Sequence, residues 1–108
     1  MRVIAITGAG QGIGRALAWH FVDAGYIVAI TDKDRAAGGG ALQGIKERGT
    51  DGRFLAGGAS KPAHIARWMN SAVKKFAVPD VLMNNAGFIT GQTLVVDSGM
   101  TVKMTYAE

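Results

Sequence analysis

Thr7-Gly-Ala-Gly-Gln-Gly-Ile-Gly14 is the stretch of this 108-residue sequence that decides the fold. It follows an apolar run, Val3 to Ile6, and precedes a helical pattern that begins at Arg15. The alternating glycines lie where a strand must turn sharply into a helix. Side chains would block a pyrophosphate there, whereas the start of the helix offers N–H groups and the positive end of its dipole. The stretch predicts a strand–turn–helix that binds dinucleotide phosphates; the alternative is a glycine-rich turn with no ligand.

An acidic residue stands at the distance from this glycine loop that suits recognition of an adenosine ribose. Asp32 closes a second apolar run, eighteen positions after Gly14. A carboxylate there accepts hydrogen bonds from the ribose hydroxyls and repels a 2′-phosphate, which favours NAD(H) over NADP(H). Lys33 and Arg35 partly offset that repulsion, and Gln11 carries no positive charge that would attract a phosphate. An ordinary turn aspartate is the alternative interpretation of Asp32.

The composition is that of one folded domain without cysteine chemistry. Hydrophobic residues make up 48% of the chain, and its length allows one modest core. The sequence has no cysteine, which excludes disulfides, a thiol nucleophile and a cysteine-ligated metal. No stretch approaches the ~18 apolar residues of a membrane span, and Asp23 interrupts any signal-like apolar run. We therefore expect a cytoplasmic protein with no membrane partner and no metal site.

The formal net charge of +4 raises the question of nucleic-acid binding. The twelve lysines and arginines are scattered along the sequence, and Lys74 and Lys75 are the only adjacent pair. No basic stripe interleaved with aromatic residues and no recognisable nucleic-acid motif accompanies them. We interpret these charges as solvated helix faces, with some attraction for an anionic cofactor. The sequence therefore predicts no nucleic-acid partner.

Strand and helix patterns alternate along the chain. We predict strands at about 2–7, 26–31, 53–56, 81–83 and 93–96, and helices at about 12–24, 34–48 and 61–76. The glycines at 38–40 weaken the first turns of the second helix. Such alternation predicts an α/β fold of the doubly wound, Rossmann type, with a mostly parallel sheet of about five strands and helices on both faces.

Together the motifs resemble the short-chain dehydrogenase/reductase family. They are the glycine loop, Asp32 and Asn84-Asn-Ala-Gly87. The resemblance implies that the Asn-Asn-Ala-Gly segment ends strand four, braces the sheet and borders the adenine–ribose end of the cofactor. It also implies that Ile13 lies beside the pyrophosphate and the nicotinamide end.

The resemblance covers nearly the whole chain as one dinucleotide-binding domain, 1–108, but in two pieces. Residues 1–87 look like the N-terminal half of the family fold, and residues 90–106 look like its C-terminal strand and tail. The motifs and the resemblance together predict these cofactor-binding residues: Gly8, Gly10, Gln11, Gly12, Ile13, Gly14, Asp32, Lys33, Asn85, Ala86 and Gly87.

The family's catalytic residues do not occur in this sequence. The resemblance implies a serine and a Tyr-x-x-x-Lys pair between the two pieces, but Tyr26 is followed four places on by Ile30, and Tyr106 stands near the end. His20 and His64 belong to no convergent polar group, and we interpret both as structural or surface residues. We therefore assign no catalytic residue, and the chain looks like a dehydrogenase with an internal deletion, natural or engineered.

A second departure from the family concerns the adenine end of the cofactor. The family commonly has an Asp-Val pair where Gly58 and Ala59 stand, with the aspartate near the adenine amino group. Gly58 cannot supply that carboxylate, so we expect weaker cofactor binding than in an intact relative.

The chemistry that remains favours an acceptor that needs no protein acid. Alcohol–ketone interconversion requires a general acid–base, and none is in place. Quinones, redox dyes and flavins are good acceptors by themselves, because the cofactor carries the hydride chemistry. The leading hypothesis is an NADH:acceptor oxidoreductase of the diaphorase type with a small-molecule electron acceptor; a flavin is compatible with it, although no residue pattern indicates one. The alternative is a non-catalytic NAD(H)-binding module or an inactive remnant.

The connection from Met83 to Thr93 sets an expectation for the last strand. Nine residues are too few for a helical crossover to a parallel neighbour. We therefore expect the strand at about 93–96 to pair antiparallel with strand four through a turn at Gly87–Gly91, or to be exchanged with another copy. Open sheet edges and exposed apolar surface favour self-association, so we expect a homodimer or a larger assembly.

Overall fold

Three strand–helix units follow one another along the chain, as the sequence pattern predicts. The computed structural model describes residues 2–84, 93–95, 101–103 and 105–106. Its elements are β1 (Val3–Thr7), α1 (Gly12–Asp23), β2 (Ile27–Asp32), α2 (Arg35–Glu47), β3 (Gly52–Ala56), α3 (Pro62–Lys75), β4 (Val81–Asn84), β5 (Thr93–Val95), β6 (Thr101–Lys103) and β7 (Thr105–Tyr106). Among the helices described, none has the length and apolar character needed to cross a membrane.

The strands form one five-stranded parallel sheet and a separate pair. The order in the large sheet is β3-β2-β1-β4-β7, with Ile6 of β1 opposite Ile30 of β2 and Met83 of β4. From β1 the chain builds outward through β2 to β3, and β4 then pairs on the other side of β1. Ligands of open α/β sheets bind at the carboxyl ends of the strands where the order reverses in this way. The doubly wound fold class is confirmed, and the carboxyl ends of β1 and β4 mark the expected ligand edge.

Helices cover both faces of the sheet. On one face α3 packs Ile65, Trp68 and Met69 against the strands. On the other face α1 and α2 cover a cluster centred on β1 and β2, with these fully buried strand residues: Ile4, Ile6, Val28 and Ile30. All five residues of β1 are buried because it lies between two neighbours and under helices on both sides.

The three consecutive glycines of α2 do not prevent the helix from forming. Asp34 caps its N-terminus, since the side chain of Asp34 accepts a hydrogen bond from the backbone N–H of Ala37 at 3.0 Å. A Cβ atom on Gly38 would collide with the ring of Phe54 on β3. The glycine therefore lets the helix approach the sheet closely, and capping and packing offset the low helix propensity.

The pairing of the last strands differs from the sequence-based expectation. β5 is antiparallel, but its partner is β6 and not β4. The edge of β4 instead pairs parallel with β7, where Met83 lies opposite Thr105. The expected pairing with strand four was wrong because it ended the strands at about residue 96, whereas about twenty residues separate β4 from β7 and allow a parallel connection. The proposed turn at 87–91 lies outside the described residues.

Candidate functional site

The loop between β1 and α1 leaves the start of the helix open to solvent. Gly8 and Gly12 have φ values of 63° and 61°, a region that favours glycine. Gln11 is the N-cap residue of α1, but its side chain makes no capping hydrogen bond, and the first turn contains no acidic residue. The first intrahelical bond runs from the N–H of Arg15 to the carbonyl of Gln11 at 3.4 Å, so the N–H groups of residues 12–14 precede it. These groups and the helix dipole suit an anionic ligand.

Asp32 lies against this loop and is held at both carboxylate oxygens. The backbone N–H of Gly10 donates to Asp32 Oδ2 at 2.9 Å, and the backbone N–H of Asp34 donates to Oδ1 at 2.9 Å. The carboxylate is half-buried. A carboxylate has about four acceptor positions, so these two bonds leave capacity for two further donors. The arrangement fixes the orientation of Asp32 while leaving it able to accept from a pair of hydroxyl groups.

Gly10 makes this contact sterically possible. A Cβ atom at position 10 would lie 2.8 Å from both Cγ and Oδ2 of Asp32, and 3.0 Å from Cβ of Ala37. No side chain fits there without displacing the carboxylate. Sequence reasoning assigned Gly10 to the approach of a pyrophosphate and missed its direct bond to Asp32. The signal for that bond is that Asp32 ends β2 and Gly10 follows β1, so both lie at the carboxyl ends of neighbouring parallel strands.

Behind this edge, a hydrogen-bonded chain joins β2, β3 and the first turn of α3. Thr31 Oγ1 donates to the carbonyl of Leu55 at 2.6 Å and lies 2.7 Å from Nε2 of His64. A hydroxyl has one proton, and Thr31 gives it to Leu55. We therefore infer that His64 donates from Nε2 to Thr31 Oγ1 and carries no proton on Nδ1. His64 is 3% exposed, and its Nδ1 faces Gly57 and has no partner among the described residues. His64 is therefore buried and hydrogen-bonded to Thr31, whereas His20 is exposed.

The state of His64 makes protein stability depend on pH. Burial, and secondly the positive charge of Arg67, lower the pKa of His64 below its ordinary value. The folded state therefore takes up a proton on His64 less readily than the unfolded state does. The contribution of His64 to the free energy of unfolding is complete above about pH 6.5 and is lost as the pH falls below that value. We expect the free energy of unfolding, measured with urea between pH 5 and 8, to decline on the acidic side of this range.

Two variants separate this effect from that of other titrating groups. His64→Gln should flatten the pH dependence of stability between about pH 5 and 6.5, whatever its effect on the absolute stability. His20→Gln, which removes the other and exposed histidine, is the companion variant. Identical pH profiles for the unaltered chain and His64→Gln would contradict the assignment.

The remaining predicted site residues differ in how far they are exposed to solvent. Ile13 is 63% exposed at the start of α1, and Lys33 is exposed beside Asp32. Gly14 is buried under the loop. The segment Asn85–Gly87 lies outside the described residues, but the backbone of Asn84 pairs in register with Thr7 and ends β4 at the same edge as the glycine loop. A Cβ atom on Gly58 would meet only Ser60 Oγ, at 3.9 Å, so this position has room for a side chain.

Comparison with known proteins agrees with this geometry. The chain matches the family model for short chain dehydrogenases over residues 2–105. It is 36% identical, over 88 residues, to an uncharacterized oxidoreductase of Thermotoga maritima; the match covers 82% of this chain and 34% of that protein. The crystal structure of NAD+-bound xylitol dehydrogenase superposes with a TM-score of 0.75 at 31% identity, covering 81% of this chain and 34% of that one.

A ketoreductase structure extends the comparison to a second cofactor. The actinorhodin polyketide ketoreductase with NADPH gives a TM-score of 0.75 at 26% identity, over 83% of this chain and 34% of that one. The chain spans about a third of the length of the curated relatives it matches. On the family match, the sheet order and the glycine loop beside Asp32, the chain belongs to the short-chain dehydrogenase family, whose Rossmann fold binds NAD(P)(H).

Proposed function

We propose that this domain binds NAD(H), in preference to NADP(H), across the carboxyl edge of its sheet. The observation that carries the proposal is the carboxylate of Asp32, which is fixed by the N–H groups of Gly10 and Asp34 and retains acceptor capacity for two hydroxyl groups. The residues present fit a dinucleotide, because the start of α1 is uncapped and Asp32 is held against the loop in front of it.

Each part of the edge has a separate role in this proposal. The backbone of the glycine loop, at Gly8, Gly10, Gln11, Gly12 and Gly14, approaches the pyrophosphate. The exposed side chain of Ile13 contacts the cofactor towards its nicotinamide end. Asp32 accepts from the adenosine ribose, with Lys33 beside it. The resemblance implies that the segment 85–87 borders the adenine–ribose end of the cofactor.

The preference for NAD(H) follows from charge. A fixed carboxylate repels a ribose 2′-phosphate, while exposed Lys33 and Arg35 offset that repulsion only in part because solvent screens them. The compared structures include one with NAD+ and one with NADPH, so the family fold itself does not decide between the cofactors. Asp32 is the residue of this chain that favours NAD(H).

We further propose an NADH:acceptor activity of the diaphorase type. When bound, NADH supplies a hydride, and a quinone acceptor becomes a hydroquinone after taking one more proton from solvent. These 108 residues contain no Tyr-x-x-x-Lys pair, so they suit an acceptor that needs no protein acid. A homodimer in the cytoplasm is part of the same proposal. The competing proposal is a non-catalytic NAD(H)-binding module.

Steady-state oxidation of NADH by the purified chain, with menadione or a redox dye as acceptor, tests the activity. We expect turnover above the protein-free rate that saturates with NADH and weakens in Asp32→Ala, while Asp34→Ala stays close to the unaltered chain. Asp34 is the matched control because it is an exposed carboxylate two residues away that caps α2. Absence of turnover, with NADH binding by calorimetry, would exclude the diaphorase activity and leave the binding module.

A further inference from the structure

A concave surface lies away from the cofactor edge, between the edge strand β3 and the exposed face of α3. It is a cavity of about 700 Å³. Its described lining includes four cationic side chains and no carboxylate, together with the polar side chains of Asn70 and Ser71. The cations are Arg53, Arg67, Lys74 and Lys75. We refer to this surface as the α3–β3 cavity.

The cations of the α3–β3 cavity come together through the fold. Arg67, Lys74 and Lys75 share one face of α3, because residues seven and eight positions apart return to the same side of a helix. Arg53 comes from β3, fourteen residues before Arg67, and reaches the same cavity from the sheet edge. A third of the chain's twelve lysines and arginines thus line one cavity.

The α3–β3 cavity is separate from the proposed cofactor site. Arg53 is the second residue of β3, and Lys74 and Lys75 are the last two residues of α3. The cationic end of the cavity therefore lies towards the amino ends of the parallel strands. Asp32 and the glycine loop lie at the carboxyl ends, so a ligand in the α3–β3 cavity does not depend on the dinucleotide.

Arg53 and Lys75 each contact a neighbouring polar group. Arg53 Nε donates to Ser71 Oγ at 2.7 Å, which uses one of the five N–H groups of the guanidinium. Lys75 Nζ lies 3.5 Å from Asp51 Oδ1 and 3.5 Å from the carbonyl of Gly52. That ion pair is exposed and therefore weak. The four like charges around the cavity repel one another, and an anion between them relieves that repulsion.

We propose that the α3–β3 cavity binds a small molecule that carries a multiply charged phosphate or pyrophosphate group. One arginine guanidinium can bind two phosphate oxygens at once. Ser71 and Asn70 provide further hydrogen-bonding groups. The volume lies within the range of about 300–1,000 Å³ that small-molecule sites occupy. Single-stranded nucleic acid is disfavoured, because the described lining has no aromatic side chain on which a base stacks.

Titration of the 15N-labelled chain with inorganic pyrophosphate, followed by NMR, tests this site directly. We expect saturable shifts of backbone amides in the second half of α3, and a rise in the pKa of His64, because the anion neutralises the charge of Arg67. Arg67→Gln should weaken pyrophosphate binding about 5-fold or more. Arg67 is exposed, so the variant should fold.

Lys46→Gln is the matched control, since it removes an exposed positive charge from the end of α2, outside the cavity. It should leave the affinity for pyrophosphate within about 2-fold. Three results would overturn the proposal: shifts confined to the glycine loop at 8–14, equal losses of affinity in Arg67→Gln and Lys46→Gln, or tighter binding of a decathymidine oligonucleotide than of pyrophosphate at the same salt concentration. The first result would place the anion at the cofactor loop. The second would show that binding depends only on net charge, and the third that the surface prefers nucleic acid.

Discussion

Asp32→Ala is expected to weaken NADH binding by about 10- to 100-fold, measured by isothermal titration calorimetry. A hydrogen bond that involves a charged group contributes about 1.5–3 kcal/mol, and 1.4 kcal/mol corresponds to a factor of ten in affinity. The substitution removes the acceptor of the ribose hydroxyls and also the acceptor of the Gly10 N–H, which orders the glycine loop. The first loss removes a contact to the cofactor, and the second lowers the affinity because the free loop is less well ordered for binding.

The response to NADPH distinguishes ribose recognition from general damage to the loop. Without the carboxylate, the repulsion of a 2′-phosphate disappears, so the ratio of NADH affinity to NADPH affinity should fall in Asp32→Ala. Asp34→Ala removes only the cap of α2, which costs about 1 kcal/mol of stability, and should leave this ratio unchanged. An Asp32→Ala variant that keeps the affinity ratio of the unaltered chain would show that Asp32 does not select the cofactor.

Trp68→Ala is expected to have the largest effect on stability, lowering the free energy of unfolding by about 3–5 kcal/mol. Trp68 is 0% exposed and packs in the core between α3 and the sheet, beside Ala29 and Leu82. Truncation leaves a cavity between α3 and the sheet. Because small domains are stable by only about 5–15 kcal/mol, this is a large share of the total. Urea denaturation followed by far-ultraviolet circular dichroism measures the change.

Trp68→Phe is the matching variant, and its smaller effect has a specific cause. The indole Nε1 of Trp68 is buried without a hydrogen-bond partner among the described residues. Phenylalanine keeps most of the apolar volume and removes that unsatisfied donor, which by itself costs about 1–3 kcal/mol. We therefore expect a loss of about 1.5 kcal/mol or less for Trp68→Phe. An alanine variant no less stable than the phenylalanine variant would contradict this account of the core.

The elements up to β4 could be predicted from sequence because local patterns encode them. Apolar runs marked the strands, and glycine or proline marked the boundaries of the helices. The last strands could not be predicted in the same way. β7 has two residues, Thr105–Tyr106, and its parallel pairing with β4 depends on a distant partner rather than on a local pattern. The predicted partner of the 93–96 segment was wrong because β5 pairs antiparallel with β6, a strand that the sequence pattern did not indicate.

The candidate site was predictable in its residue types but not in its bonds. The spacing between the glycine loop and Asp32 indicated a shared ligand, whereas the bond between Gly10 and Asp32 appears only when β1 and β2 lie side by side. The α3–β3 cavity was missed because Arg53 and Lys74 are far apart in the sequence. Scattered charges in a sequence do not exclude a cluster in the fold.

Calorimetric titration of NADH into the unaltered chain, with NADPH titrated in parallel under the same conditions, tests the central claim most directly. The geometry of Asp32 and the glycine loop predicts one saturable site per chain for NADH, with NADPH bound more weakly. Absence of saturable NADH binding by the folded chain, or tighter binding of NADPH than of NADH, would contradict it.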